Sequence, residues 1–503
     1  MASTLKTIWD SQSVLKGWPE GRPHPTPSPV KAAVALLMFL TFFRWWYAST
    51  LELVPDEAYY WLWSKHLDAS YYSKGPAIAW TIAFATGLLG DHELGLRWMG
   101  VLLAAGTGWQ IFTLARRLWD EMTALWCLVV ASVIPLYAVG SVLMTIDPLS
   151  VFFWVWSANL FWSALESGRK RHWIKLGFAL GCGFLAKFVN VLEVISFVGF
   201  MLWVPRHRRW LWSPQSLAVL VTFLICISPV IWWNGQHGWI TATHLQERGA
   251  LNHAFHFQAR ELFQFLQQQA LVISPLIFLG VLIAVLAVWQ RKQKTETEKY
   301  LLLLFLPGFL FYLALSLNDS GEANWTATSL VGGLILAVIW WREYLVGRTY
   351  SKRLVAFALL FALVQTILLH ETFPLNLPAS KDPMVRLRGW RDLAARVQEL
   401  RDRYRPDYVV ANRYQNASEL AFYLPDRPVT YVLKTERVQN QFSFWDSYPT
   451  QPGQRAFYVT DSIDVAPYEL AQEFRDIRLV GDFYTQHLGR PIRRFQVYLA
   501  EKK

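Results

Sequence analysis

Apolar residues recur in long, nearly unbroken runs through the first three quarters of the chain and only in short runs after it. About 20 largely apolar residues are needed for a helix to cross a bilayer. Runs of this kind fall at 31–51, 94–115, 121–139, 143–165, 174–187, 189–204, 212–233, 268–289, 300–317, 325–341 and 354–371. The pair between 174 and 204 is short in each half and reads as two helices or as one long tilted helix. From about residue 374 charged residues return. Trp390, Leu393, Val397, Leu400 and Tyr404 then stand at helical spacing. Short β-like runs follow at 407–411, 429–433, 456–460 and 495–499, with a helix-like stretch at 417–424. The expected fold is mainly α: a polytopic transmembrane helical bundle of about eleven to thirteen spans over 31–374, with a small C-terminal α/β extramembrane domain at 375–503. Residues 1–30 are polar and proline-rich and read as a cytoplasmic tail, with the first span as an uncleaved anchor.

Composition supports the membrane reading. Of 503 residues, 53% are hydrophobic and only 17% are charged, against about 25% charged in soluble domains. The net charge of +11 would suggest nucleic acid in a soluble protein, but its distribution points elsewhere. Lys and Arg concentrate in cytoplasmic loops of membrane proteins. With eleven spans and the N-terminus inside, the inner turns hold seventeen Lys and Arg. The outer loops 52–93, 140–142, 188, 234–267 and 318–324 hold only Lys65, Lys74, Arg248 and Arg260. Fusing the 174–204 pair would put three basic clusters outside, so two helices are expected there and the C-terminal domain is expected outside. Cys127, Cys182 and Cys226 lie in apolar runs without metal or redox spacing and read as small core residues.

The outer loops collect the candidate chemistry. Asp56 and Glu57 follow the first span, then come Tyr59, Tyr60, Trp61, Trp63, Tyr71 and Tyr72, and then Lys74-Gly75-Pro76. Trp61 and Trp63 suit an interfacial aromatic belt. A carboxylate at the mouth of a bundle can serve as a general base, and a lysine there can hold a phosphate as a point charge. Asp147 starts the fourth span, where Asp before Pro is also a helix-start signal. Lys187 ends the fifth, where either function or snorkelling accounts for a charge. Arg44 and Glu193 raise the same question inside spans. The 234–267 loop carries His237, His244, His253 and His256. His253 and His256 could share a helix face, but no compact acid or Cys accompanies them and no metal or other cofactor is expected. Arg248 and Arg260 suit an anionic ligand better. Glu322 and Asn324 precede a span and read equally as caps or as substrate contacts.

DEAYYW (56–61), YYSKGPAIAW (71–80), TIDP (145–148), GFLAKF (183–188) and GEANW (321–325), in that order, resemble the glycosyltransferase-C superfamily, in particular enzymes similar to bacterial aminoarabinose lipid A transferase and the protein O-mannosyltransferases. RYQNASELAFYLP (413–425) and NQFSFW (440–445) resemble the outer domain of the same bacterial branch. The resemblance implies a multi-pass inner-membrane enzyme with a periplasmic C-terminal domain. Its donor would be an undecaprenyl-phosphate-linked sugar, transferred with inversion to lipid A, another glycan, a lipid or a protein. It implies Asp56 as the catalytic carboxylate, with Glu57 and Asp147 in support, and Lys74, Lys187 and a loop arginine, Arg248 or Arg260, on the donor phosphate. Tyr59, Tyr60, Tyr72, Glu322 and Asn324 would line the substrate. The competing expectation is a transporter or flippase for a lipid-linked or anionic substrate, in which charges inside the bundle line a path.

Overall fold

The computed structural model of the protein describes residues 28–249, 256–319, 321–345, 349–433, 438–461 and 468–503. Helix α1 (Pro29–Thr50) starts with proline at its first position and the Ser28 hydroxyl accepting from the Lys31 amide, which suits the unpaired donors of a first turn. Two helices, the largely buried α2 (Pro55–Lys65) and the apolar α3 (Ala77–Leu89), fill the stretch expected to be an outer loop. Then come α4 (Glu93–Leu118), α5 (Glu121–Val133), α6 (Pro135–Gly140) and α7 (Ile146–Ser167). Pro135 divides the expected span 121–139 into α5 and α6, because proline cannot continue the hydrogen-bond ladder.

Helix α8 (Lys170–Ala186) and helix α9 (Leu192–Trp203) are separate. Extended backbone at Lys187 and a 3-10 turn at Phe188–Val191 part them, so the 174–204 pair is two helices. Next are α10 (Pro214–Gln236) and the short α11 (Ile240–Arg248). The expected span 268–289 is the second correction. It is not one helix but α12 (Ala259–Ile273) and α13 (Pro275–Gln290), bent by 109° at Ser274, whose φ is +78° and which precedes a proline. The bundle closes with α14 (Glu296–Leu315), α15 (Ala327–Leu345) and α16 (Thr349–His370). Six of these helices, α1, α4, α7, α10, α14 and α16, are each long and apolar enough to span a membrane, and the α12–α13 pair is a broken seventh candidate.

The turns rich in Lys and Arg gather at one end of the bundle. Arg342 reaches Asp120 at 2.6 Å, Arg206 pairs with Glu296 and Arg291 with Glu298. The other end carries the C-terminal domain. There α17 (Trp390–Tyr404) and α18 (Tyr414–Tyr423) pack with a five-stranded sheet of order β2-β1-β3-β5-β4, formed by β1 (Tyr408–Ala411), β2 (Thr430–Val432), β3 (Arg455–Thr460), β4 (Phe474–His487) and β5 (Arg490–Lys502). Strand β1 is parallel to β2 and β3, and β5 is antiparallel to β3 and β4.

This domain is seated on α2. Phe422 and Ala421 join Leu53, Ala58, Trp61 and Trp63 in one apolar cluster. The Leu53 amide donates to the Tyr423 hydroxyl at 2.7 Å, and Glu52 accepts from the Trp390 amide at 2.6 Å. Burying aromatic side chains of this size contributes strongly to the contact.

Candidate active site

The first turn of α2 decides which of two adjacent acids is available. Successive side chains on a helix diverge by about 100°. Glu57 turns inward and is fully buried. It meets Arg97 through Nε at 2.8 Å and Nη2 at 2.6 Å, and accepts from the Val54 and Met144 amides at 3.0 and 2.7 Å. Arg97 also donates to the carbonyls of Ala48, Leu51 and Glu52. The expected catalytic standing of Glu57 is therefore corrected. Its carboxylate is used up in joining the end of α1, the start of α2 and the segment before α7, and cannot meet a substrate.

Asp56 points the other way. Its side chain is 37% exposed and its nearest cation is Arg386, at 3.4 Å. Burial in the mouth raises its carboxyl above the ordinary value, against the opposing pull of Arg386, Lys74 and Arg248. Asp147 lies across from it on α7. Thr145, not Asp147, caps that helix, which leaves the Asp147 carboxylate free to accept from Lys187 Nζ at 2.9 Å and from Asn324 Nδ2 at 2.5 Å. Three sequence-separated motifs thus meet at one carboxylate. The Tyr60 ring is buried beside the same group, and its hydroxyl feels both Asp56 and Asp147.

Lys74 comes from the turn between α2 and α3. Gly75 allows that turn to press on the end of α8: a Cβ there would stand 2.1 Å from the Leu185 carbonyl oxygen. Its ammonium makes no hydrogen bond or ion pair among the described residues. Burial, with Lys187 and Arg248 nearby, pulls its pKa down to about 8. Arg248 at the end of α11 pairs with Glu322 at 2.8 Å. The cluster is therefore Asp56, Asp147, Lys74, Lys187, Arg248, Asn324 and Tyr60, with Glu322 at its exposed rim.

Other expected residues are placed elsewhere. Tyr59 is enclosed between Tyr414 and Phe442 and accepts from the Gln441 amide at 2.6 Å. The Tyr72 amide donates to Gln441 Oε1 at 2.7 Å. Both make contacts with the C-terminal domain. Arg260 is exposed at the start of α12 and lies outside the cavity lining. Glu193 is fully buried in α9. His237 stacks on Trp233, the His244 ring lies tilted against Tyr72, and the His256 amide donates to Asn318. His253 lies outside the described residues. Among the described residues no three His, Cys, Asp or Glu side chains converge as a metal site.

Sequence reading missed Arg97, Arg386 and Gln441. Arg97 had a signal, an arginine inside a predicted span. Arg386 had none, since it reaches the site across more than 300 residues of chain; Gln441 stood in the NQFSFW run, which carried the resemblance without marking its contact with the first outer loop.

A cavity of about 400 Å³ opens between Asp56, Asp147, Asn324 and Arg386 and runs between α1, α4, α5, α6 and α7. Its walls are largely apolar and include Leu37, Ile111, Leu128, Leu143 and Val151.

Residues 73–233 match the family described as dolichyl-phosphate-mannose-protein mannosyltransferase. The chain is 27% identical over 379 residues to the lipid A galacturonosyltransferase of Rhizobium johnstonii, covering 75% of this chain and 78% of that protein. It is 29% identical to the undecaprenyl phosphate-α-4-amino-4-deoxy-L-arabinose arabinosyl transferase of Pseudomonas aeruginosa, over 52% of this chain and 51% of that protein, so it spans about half of that enzyme's length. The fold matches the crystal structure of ArnT from Cupriavidus metallidurans in the apo state, with a TM-score of 0.65 and 16% identity over 94% of this chain and 98% of that one. The same protein bound to undecaprenyl phosphate matches with a TM-score of 0.63. These comparisons favour glycosyl transfer over transport. The chain therefore has the fold of that crystal structure and is similar in sequence, over part or most of its length, to bacterial membrane glycosyltransferases.

Proposed function

We propose that the protein transfers a sugar from an undecaprenyl-phosphate donor to lipid A at the outer face of a bacterial inner membrane, with its C-terminal domain in the periplasm. The observation that carries this reading is the unpaired ammonium of Lys74 beside Asp56 and the Lys187–Asp147 pair. Lys74, with Lys187 and Arg248 in its electrostatic surroundings, suits a leaving phosphate. The acceptor in the Rhizobium relative's name, lipid A, and the undecaprenyl phosphate-linked sugar in the Pseudomonas relative's name agree with it.

In the proposed reaction an acceptor hydroxyl oxygen attacks the anomeric carbon from the face opposite the phosphate. The bond from that carbon to the phosphate oxygen breaks, and the electron pair leaves with the polyprenyl phosphate. The acceptor proton passes to Asp56, and the attack inverts the anomeric centre. Cations aimed at the departing phosphate stabilise charge where it develops, and no metal or other cofactor enters the scheme. Asn324 and Lys187 hold Asp147 in place at the sugar.

Mass analysis of lipid A from a deletion strain and its parent tests the acceptor. The expected result is loss of one glycosyl substituent in the deletion strain. Unchanged lipid A alongside loss of another envelope glycan would move the acceptor to that glycan.

A further inference from the structure

Two sets of cations can be told apart by whether they line the cavity that Asp56 and Asp147 open onto. Lys74, Lys187 and Arg248 form one, and none of them lines the 400 Å³ cavity. Arg44 and Arg386 form the other, and both line it. Arg44 is the unusual member. It stands on α1 about two turns of helix from Leu37, in an apolar wall, with a relative exposure of only 7%. It makes no hydrogen bond or ion pair among the described residues, although Tyr47 and His370 are close by on the same face. A buried guanidinium without a partner is costly, and a cation of this kind inside a membrane bundle marks an anionic ligand more often than a packing role.

We infer that Arg44, with Arg386 at the rim, takes a phosphate of an amphiphilic acceptor whose acyl chain enters the cavity, apart from the Lys74, Lys187 and Arg248 cations of the donor phosphate, which do not line it. The inference rests on the proposed transfer reaction and adds which wall binds the acceptor. The arrangement gives each of two anionic lipids its own cations, so the acceptor does not compete for Lys74. Arg44 is then a specificity-determining residue. It selects acceptors that carry a phosphate and takes no part in bond breaking.

The test uses the full chain in lipid nanodiscs, with bisphosphorylated lipid A, fully dephosphorylated lipid A and undecaprenyl phosphate as probes, and the variants Arg44→Met and Arg44→Lys. Arg44→Met is expected to weaken bisphosphorylated lipid A binding at least about tenfold, the share of one charge-assisted contact. Undecaprenyl phosphate binding should stay within about twofold. The dephosphorylated probe should bind parent and variant alike, and Arg44→Lys should recover part of the loss. The thermal midpoint of Arg44→Met should equal or exceed the parent's, since an unpaired buried charge is removed. Unchanged lipid A binding in a folded Arg44→Met overturns the inference, as does a loss confined to undecaprenyl phosphate, which would assign this wall to the donor. A lower midpoint with all three probes weakened overturns it in favour of a structural role. Failure of the transfer reading itself is distinguishable, because the parent would then release no undecaprenyl phosphate from a sugar-loaded donor.

Discussion

Asp56 and Glu57 are neighbours whose carboxylates meet opposite surroundings, and substitutions separate them. Asp56→Asn keeps the shape and removes proton acceptance, a loss that costs about 10²–10⁴-fold in rate for a general base. The variant is expected to fold normally and transfer sugar at least about a hundredfold more slowly; near-parental turnover would remove Asp56 from the mechanism. Glu57→Gln leaves Arg97 buried without its counter-charge. Breaking such a pair costs roughly 3–5 kcal/mol, so its loss should be read in thermal stability and membrane yield before it is read in rate. Lys74 supplies a pH signature. Its ammonium is protonated below about 8 and neutral above, so donor affinity should be present at pH 7 and fall as pH rises through that value. The donor KM of the parent should increase between about pH 7 and 9. Lys74→Arg, which stays charged, should flatten this limb, and an unchanged limb would assign it to another group.

The elements that could be read from sequence were those with one strong period. The long apolar helices and the amphipathic α17 fell where spacing put them, and the basic turns correctly kept α8 and α9 apart. The bend at Ser274 was missed because apolar residues continue on both sides of it; Pro275 was the signal in the run, and the positive φ at Ser274 completes the break. Strand β4 was missed because charged residues interrupt its pattern and much of it faces solvent. It is held by pairing with β5, a tertiary contact that no local run announces. The same limit applies at the site: Asp56, Lys74, Asp147 and Lys187 stood in recognisable motifs, whereas Arg386 is brought in by the C-terminal fold. The turn at Gly75 links element to site. Gly75→Ala must push the turn away from the Leu185 carbonyl, and is expected to raise the donor KM several-fold while the α8–α9 break stays intact. A parental KM in that variant would show that Lys74 tolerates the shift.

At the scale of the whole molecule, the basic turns and the chemistry occupy opposite ends of the bundle. Eleven crossings with the N-terminus inside would put the site and the 375–503 domain in the periplasm. A reporter fused after residue 380 should be active only there, and cytoplasmic activity would contradict that orientation. The C-terminal domain sits close over the turn between α2 and α3 through Gln441, Tyr59 and Tyr72, which ties its docking to the position of Lys74. The most direct measurement of the central claim uses the purified full chain in proteoliposomes with an undecaprenyl-phosphate-linked sugar and lipid A. The account predicts release of undecaprenyl phosphate in step with glycosylation of lipid A, and loss of both in Asp56→Asn. Movement of the intact donor between leaflets with its glycosyl bond unbroken, equal in parent and Asp56→Asn, would contradict it.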